Sequence, residues 1–333
     1  MGDVILASPL VRQLRRTYPE ARIDVCVQER FAEVWRFDPN VSTLWEWDVH
    51  DPDATADDLK LSMRESLGGG QYDLVVDLQN NVRSRILRKG LGRDLVMLDK
   101  HRLEKLALVY LKRKPDVVMP IVDRYRATMA AYPLALDVAG PDVWTEQDRV
   151  QGYYGPDTRQ RRSVSSNGRL RIAIAPGAQH FTKRWPAERY AALCTMLTQV
   201  VDATCVLVGG PNDVAIGDEI VAHSSGRIER VDGATSLAST IAALDSCDLA
   251  VTNDTGVMHL ATARRLPVVA IFGSSVSALG FAPYGVPNII VEVDLPCRPC
   301  SHIGRSSCPK HHFHCMTKIN ADRVLSAITD FVN

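Results

Sequence analysis

Apolar residues along this chain gather in short unbroken runs, each followed by a stretch with helical spacing. In the first half the runs are ARIDVCV, TLWEW, YDLVVDL and DLVML. In the second half they are LRIAIA, TCVLVGG, RIERV, DLAVT, PVVAIF and NIIVEV. Runs that stay apolar instead of alternating predict strands covered on both faces, and helical patterns between them predict parallel sheets. Gly155 to Leu170, GPDTRQRRSVSSNGRL, is polar and aperiodic and reads as a linker. The expected architecture is α/β, with two doubly wound domains at residues 1–160 and 165–318 and a closing segment at 319–333.

The start of the chain departs from that plan. Residues 4–16, VILASPLVRQLRR, read as a helix entered through Gly2 and Asp3. A doubly wound domain ordinarily has a strand before such a turn. Either the first domain lacks its first strand or the sequence begins downstream of the natural start, and the second reading is favoured. The second series is cleaner. Its strands end in Pro176-Gly177-Ala178, Gly209-Gly210-Pro211, Asn253-Asp254-Thr255-Gly256 and Gly273-Ser274-Ser275. Ends of this kind on one sheet make a floor for a nucleotide. The GxGxxG fingerprint of dinucleotide enzymes is missing, which argues against a dehydrogenase.

Composition narrows the function classes. The 333 residues leave room for two domains, and Lys+Arg equal Asp+Glu at 39 each, so net charge makes no case for nucleic acid. No apolar run approaches the roughly 18 residues of a membrane helix. A basic start followed by a long apolar region is also missing, so the cytoplasm is the expected compartment. Cys26, Cys194, Cys205 and Cys247 lie in apolar segments and read as small core residues.

Chemistry concentrates where strands meet helices. In AVTNDTGVMHLA (Ala250 to Ala261) a buried strand stops at Asp254, Thr255 and Gly256, and helical spacing resumes through His259. A helix start with free N–H groups, a glycine for close approach and small hydroxyl donors suits a phosphate. The alternative is an Asp/Thr cap followed by a core histidine. PGAQHFTKRWP supplies a glycine turn at Gly177 and positive charge at Lys183 and Arg184; a lysine there can neutralise a diphosphate leaving group without a metal. A solvated basic loop is the plain alternative. Asp3, at the entry of the first helix, reads either as a cap or as a general base facing the cleft.

From Arg83 to Lys114 the chain carries eleven Lys/Arg against three acidic residues. In a neutral protein this local excess points to an anionic partner such as a phosphorylated sugar or lipid headgroup, or simply to solvated helix faces. Aromatic interleaving suited to nucleic-acid bases is missing from the tract. Cys297, Cys300, Cys308 and Cys315, with His302, His311, His312 and His314 among them, have ligand types that suit a structural zinc. The second pair lacks zinc-ribbon spacing, so a free or oxidised thiol knot is the competing reading.

Together GDVILASP, YDLVVDLQNNVRS, PGAQHFTKRWP, VLVGGPND and NDTGVMHLA resemble glycosyltransferase family 9, the heptosyltransferases of the lipopolysaccharide core and their relatives. The resemblance implies a GT-B fold of two facing Rossmann-like domains, with a final helix crossing back to the first. It implies inverting transfer from a nucleotide sugar, ADP-heptose in the known heptosyltransferases, with no catalytic metal or cofactor. The acceptor would be an anionic glycolipid at the inner face of the membrane, with which the protein would associate peripherally. Carried over by motif, Asp3 is the base; Lys183, Asp254, Thr255, Gly256 and His259, on the floor with Gly177, hold the donor; Gln79, Asn80, Arg83 and Ser84 face the acceptor. Asn80 and Val257 depart from the family's usual glycine and proline. A nucleotide-sugar epimerase and a non-catalytic sugar-nucleotide or glycolipid binding protein remain the rival readings.

Overall fold

The computed structural model describes residues 1–51, 55–152 and 169–332. The expected linker lies outside the described residues, apart from Arg169 and Leu170. The first half runs α1 (Gly2–Ile5), α2 (Ser8–Thr17), β1 (Asp24–Gln28), β2 (Thr43–Trp47), α3 (Ala56–Glu65), β3 (Tyr72–Asp77) and α4 (Val82–Arg88). It continues through β4 (Gly92–Met97), α5 (Arg102–Tyr110), α6 (Ile121–Ala127) and α7 (Glu146–Val150). The second half opens with β5 (Arg171–Ala175), α8 (Ala187–Val201), β6 (Thr204–Leu207), α9 (Val214–His223), β7 (Ile228–Arg230) and α10 (Leu237–Asp245). It closes with β8 (Leu249–Asn253), α11 (Gly256–Ala263), β9 (Val268–Phe272), β10 (Asn288–Glu292), α12 (His314–Thr317) and α13 (Ala321–Val332).

The second half is one six-stranded parallel sheet in the order β10-β9-β8-β5-β6-β7. Chain order therefore reverses between β5 and β8, the place where doubly wound sheets open a crevice. Its continuous apolar strands feed two cores. Val268, Ala270 and Phe272 of β9 join one cluster, while Val269 and Ile271 join the other. The second cluster is roofed by α8 and α13, with Leu193, Leu197, Val324 and Ile328 fully buried. The buried face of the closing helix α13 belongs to this second-half core.

The first cluster runs from the sheet through α11 into the first half, joining Met258 and Leu260 to Ile5, Leu6, Leu10 and Tyr125. The expected single opening helix is two, because Pro9 cannot donate a backbone hydrogen bond. The Ser8 hydroxyl caps the break by donating to the Ile5 carbonyl at 2.7 Å. First-half strands form two separate parallel ribbons, β1-β2 and β3-β4, both packed on this cluster. Tyr72 Oη reaches across from β3 to Asp24 Oδ2 on β1 at 2.6 Å. Cys26 is exposed on β1, with its neighbours Val25 and Val27 turned to the core, so it is not the core residue expected. Cys194, Cys205 and Cys247 are buried.

Buried arginines tie the halves together. Arg264, at the end of α11, pairs with Asp148 at 2.7 Å and also with Asp245, while Arg265 meets Asp142 at 2.6 Å. From α2, Arg12 pairs with the same Asp142 and with Asp137 at 2.8 Å. The segment 137–148 is thereby held from both sides.

Candidate active site

The crevice at the β5/β8 reversal is built around Asn253, the last residue of β8, which is fully buried. Its Nδ2 donates to the Pro176 carbonyl at 2.8 Å, and its Oδ1 accepts from the Trp185 backbone N–H at 3.2 Å. One amide thus fixes the end of β5 and the KRWP turn against the NDTG turn. Trp185 is itself locked, its Nε1 donating to Ile319 at 2.9 Å. With the turn held, Lys183 Nζ lies 2.6 Å from Asp254 Oδ2, and the two side chains are 15% and 8% exposed. The Ser275 hydroxyl, from the end of β9, donates to the same carboxylate oxygen at 2.6 Å. Ser275 is in turn held by Arg298, which bonds its carbonyl at 2.8 Å.

Beside this pair, α11 starts at Gly256 with Thr255 as its cap residue and no side-chain cap bond. The first-turn N–H groups therefore keep their positive end open. Thr255 Oγ1 and His259 Nδ1 are buried atoms without a hydrogen-bond partner among the described residues. Burial pushes the His259 imidazole down to about 4, with Asp254 opposing and Lys183 adding to the shift. The ring is neutral at pH 7 and offers one N–H and one lone pair. Unsatisfied polar atoms of this kind at an open helix start fit an oxyanion and a hydroxylated ligand.

The first half closes over that start. A Cβ on Gly2 would sit 2.8 Å from His259 Cδ2, and one on Gly256 would sit 2.7 Å from Met1 Cε. Asp3 follows Gly2 directly and is exposed. The buried Tyr125 phenol is raised well above its ordinary value by burial and then by the nearby Asp3 charge. Half-buried Lys105 of α5 is lowered by burial first and then by Arg124, with Asp3 pulling the other way. The Asp3 charge is thus felt by both the Tyr125 phenol and Lys105.

The expected donor residues Lys183, Asp254, Thr255, Gly256 and His259 come together here. At Gly177 a Cβ would overlap the Asp213 carboxylate, so this glycine makes room for a side chain of its own protein. The expected acceptor turn is organised by buried Asp77. Its Oδ1 accepts from Gln79 N at 3.0 Å and Asn80 N at 2.7 Å; its Oδ2 accepts from Ser84 Oγ at 2.9 Å and Arg88 at 2.6 Å. Asn80, at φ +40°, spends its amide on the Leu98 carbonyl. Asn80 and Ser84 therefore shape the turn, whereas the Gln79 and Arg83 side chains are exposed. Asn253 and Ser275 were read only as members of strand ends on the floor, and Arg298, Asp77, Tyr125 and Lys105 were given no role from sequence.

The cysteines Cys297, Cys300, Cys308 and Cys315 line one small cavity with Thr182, Ser274 and His312. They are free thiols, and burial pushes Cys315 up to about 11. Among the described residues no group of three or more His, Cys, Asp or Glu side chains is placed to hold a metal ion.

Residues 60–311 match the model of the family described as glycosyltransferase family 9 (heptosyltransferase). The chain belongs to glycosyltransferase family 9. It is 28% identical over 303 residues to the lipopolysaccharide heptosyltransferase 2 of Escherichia coli, covering 83% of this chain and 80% of that one. Among solved structures it is similar to the glycosyl transferase family 9 protein of Veillonella parvula, with a TM-score of 0.78, 22% identity, and 99% and 94% of the two chains covered. It is also similar to the E. coli heptosyltransferase WaaC with ADP-2-deoxy-2-fluoro heptose, with a TM-score of 0.68, 19% identity, and 99% and 96% covered. These structures establish the α/β fold with parallel sheets of the GT-B heptosyltransferases, and the family makes the protein a glycosyltransferase.

Proposed function

We propose that this glycosyltransferase moves a heptose from ADP-heptose to the core of a lipopolysaccharide acceptor, with inversion at the anomeric carbon. The observation that carries the reading is a juxtaposition at the β5/β8 crevice. Lys183 stands beside the open start of α11, and Asp3 enters from the other half one residue beyond the Gly2–His259 contact. Residues 165–318 act as the donor-side domain and residues 1–160 as the acceptor-side domain.

Lys183 and the α11 N–H groups take the diphosphate, with Thr255, Gly256 and His259 lining its approach. Asp254 aims the lysine, and Gly177 leaves room for the Asp213 carboxylate under the floor. As the acceptor oxygen attacks the sugar carbon, Asp3 accepts its proton and the diphosphate departs toward Lys183. Gln79 and Arg83 face the acceptor from a turn shaped by Asn80 and Ser84. No cofactor is required, because the lysine and helix start supply the positive charge. The four cysteines of 297–315 are not placed together as ligands, so a structural zinc there would require them to converge, and metal analysis of the purified protein tests that point. The names of the relatives support the heptose and the lipopolysaccharide acceptor, and the ligand of the solved WaaC structure supports an ADP-linked donor. Among the described residues no helix is long and apolar enough to cross a membrane. The proposed location is the cytoplasm, peripheral on the inner face of the inner membrane.

Incubation with ADP-heptose and an isolated truncated core, read by mass spectrometry, tests the proposal. A mass gain of one heptose on the acceptor is expected. Donor turnover without acceptor would indicate a nucleotide-sugar epimerase instead, and binding without turnover a non-catalytic binding protein.

A further inference from the structure

The helix α5 is apolar on the wrong side. Its inner face is conventional: Leu108 and Val109 are buried, and Leu108 packs on Val276 and Leu279 next to the Ser275 donor loop. Its outer face carries Leu103, Leu106 and Tyr110, at spacings of three and four that share one side of a helix. Those residues are 82%, 50% and 71% exposed, and Leu111 just beyond is 75% exposed. A surface helix ordinarily turns charged residues outward, so four adjacent exposed apolar side chains mark a contact surface.

The charges around this stripe say what it contacts. Arg102 precedes it, and Arg113 and Lys114 follow it, all exposed. Lys112 plays a different part. Its ammonium donates to the Val109 carbonyl at 2.6 Å and the Pro299 carbonyl at 2.7 Å, pinning the end of α5 to the second half. Glu104 is the only acidic residue on the helix. The patch sits inside the stretch with eleven basic against three acidic residues, in a protein whose net charge is zero. A second copy docking through the same patch would place these cations against one another across a two-fold axis. An anionic bilayer takes both features at once, accepting leucines below its headgroups and cations at them.

We propose that the outer face of α5, with Leu111, docks this protein on an anionic lipid bilayer. The inference gives the glycolipid acceptor read above a route to the crevice, since Leu108 of the same helix packs on Val276 and Leu279 beside the Ser275 loop, and for that purpose it rests on that reading. The surface itself stands on exposure and charge.

Co-sedimentation of the full chain with vesicles tests it. Phosphatidylcholine vesicles containing phosphatidylglycerol should carry the protein down, vesicles of phosphatidylcholine alone should not, and raised salt should release it. The triple variant Leu103→Ser/Leu106→Ser/Leu111→Ser should partition at least about tenfold more weakly. These side chains are exposed already, so its melting curve should match the parent's. Arg113→Gln/Lys114→Gln should also bind more weakly and lose part of the salt dependence. Both variants should act on a delipidated, water-soluble acceptor like the parent, an assay that fails separately if the transferase reading is wrong. A parent that stays in the supernatant with anionic vesicles at low salt would overturn the proposal, as would a triple variant that binds equally well. So would a parent dimer in sedimentation equilibrium that the triple variant abolishes, because the occupant would then be a second copy.

Discussion

Replacing Lys183 by alanine isolates the interaction on which donor binding is argued to depend. In the free protein its ammonium is 2.6 Å from Asp254 and largely buried, so it needs little reordering to meet a diphosphate. A hydrogen bond to a charged group is worth about 1.5–3 kcal/mol, which corresponds to about 10- to 150-fold in affinity. Lys183→Ala should therefore weaken ADP and donor binding by about that factor. Asp254→Ala should weaken it as well, since the lysine loses its aim and Ser275 its acceptor. The two residues serve one contact, so Lys183→Ala/Asp254→Ala should lie within about 0.5 kcal/mol of the worse single variant, whereas independent sites would add. Breaking a buried pair can cost about 3–5 kcal/mol of stability, so denaturant melts must first show each variant folded at the assay temperature. Isothermal titration with ADP then gives the affinities. Binding by Lys183→Ala as tight as the parent's would refute the reasoning.

Other consequences can be checked independently. Asp3→Asn should lower the transfer rate by at least about a hundredfold while sparing donor affinity, since general bases contribute about 10²–10⁴-fold; undiminished transfer would remove Asp3 as the base. Chelator should leave the rate unchanged, and a rate abolished by EDTA and restored by magnesium would mean that the departing charge is handled otherwise. Burial lowers His259 from 6.5 to about 4 and raises Asp38 from 3.8 to about 6. The His259 contribution is present above pH 6.5 and is lost as pH falls toward 4; that of Asp38 is present below 3.8 and is lost as pH rises toward 6, so the two oppose each other between those values. Asp38→Asn should therefore uncover a loss of stability toward acid of about 1.4 kcal/mol per pH unit relative to Asp38→Asn/His259→Gln, measured by denaturant unfolding. Parallel profiles for those two variants would count against the buried neutral histidine.

Strand positions were legible because a strand covered on both faces needs an unbroken apolar run, as LRIAIA and PVVAIF have. The crevice was legible for a related reason: the NDTG and KRWP residues sit where such runs stop. Strand partners were not, because pairing is a long-range choice, and nothing local in YDLVVDL announces that, among the described residues, β3 pairs only with β4. Nor did the sequence mark Asn253 or Arg298 as organisers. Their partners are mostly backbone groups, such as the Pro176 and Ser275 carbonyls, which every residue type carries. Ser84 was assigned to the acceptor only through the family motif; its bond to Asp77 depends on the turn's three-dimensional closure.

The central claim is that the donor lies across the β5/β8 crevice between Lys183 and Asp3. A crystal structure of the protein with ADP-heptose, or with a fluorinated analogue that resists transfer, tests it most directly. The account predicts the diphosphate at the start of α11 within hydrogen-bonding distance of Lys183, with the sugar turned toward the Asp3 carboxylate. A donor bound elsewhere, or bound there with its sugar turned away from Asp3, would contradict it.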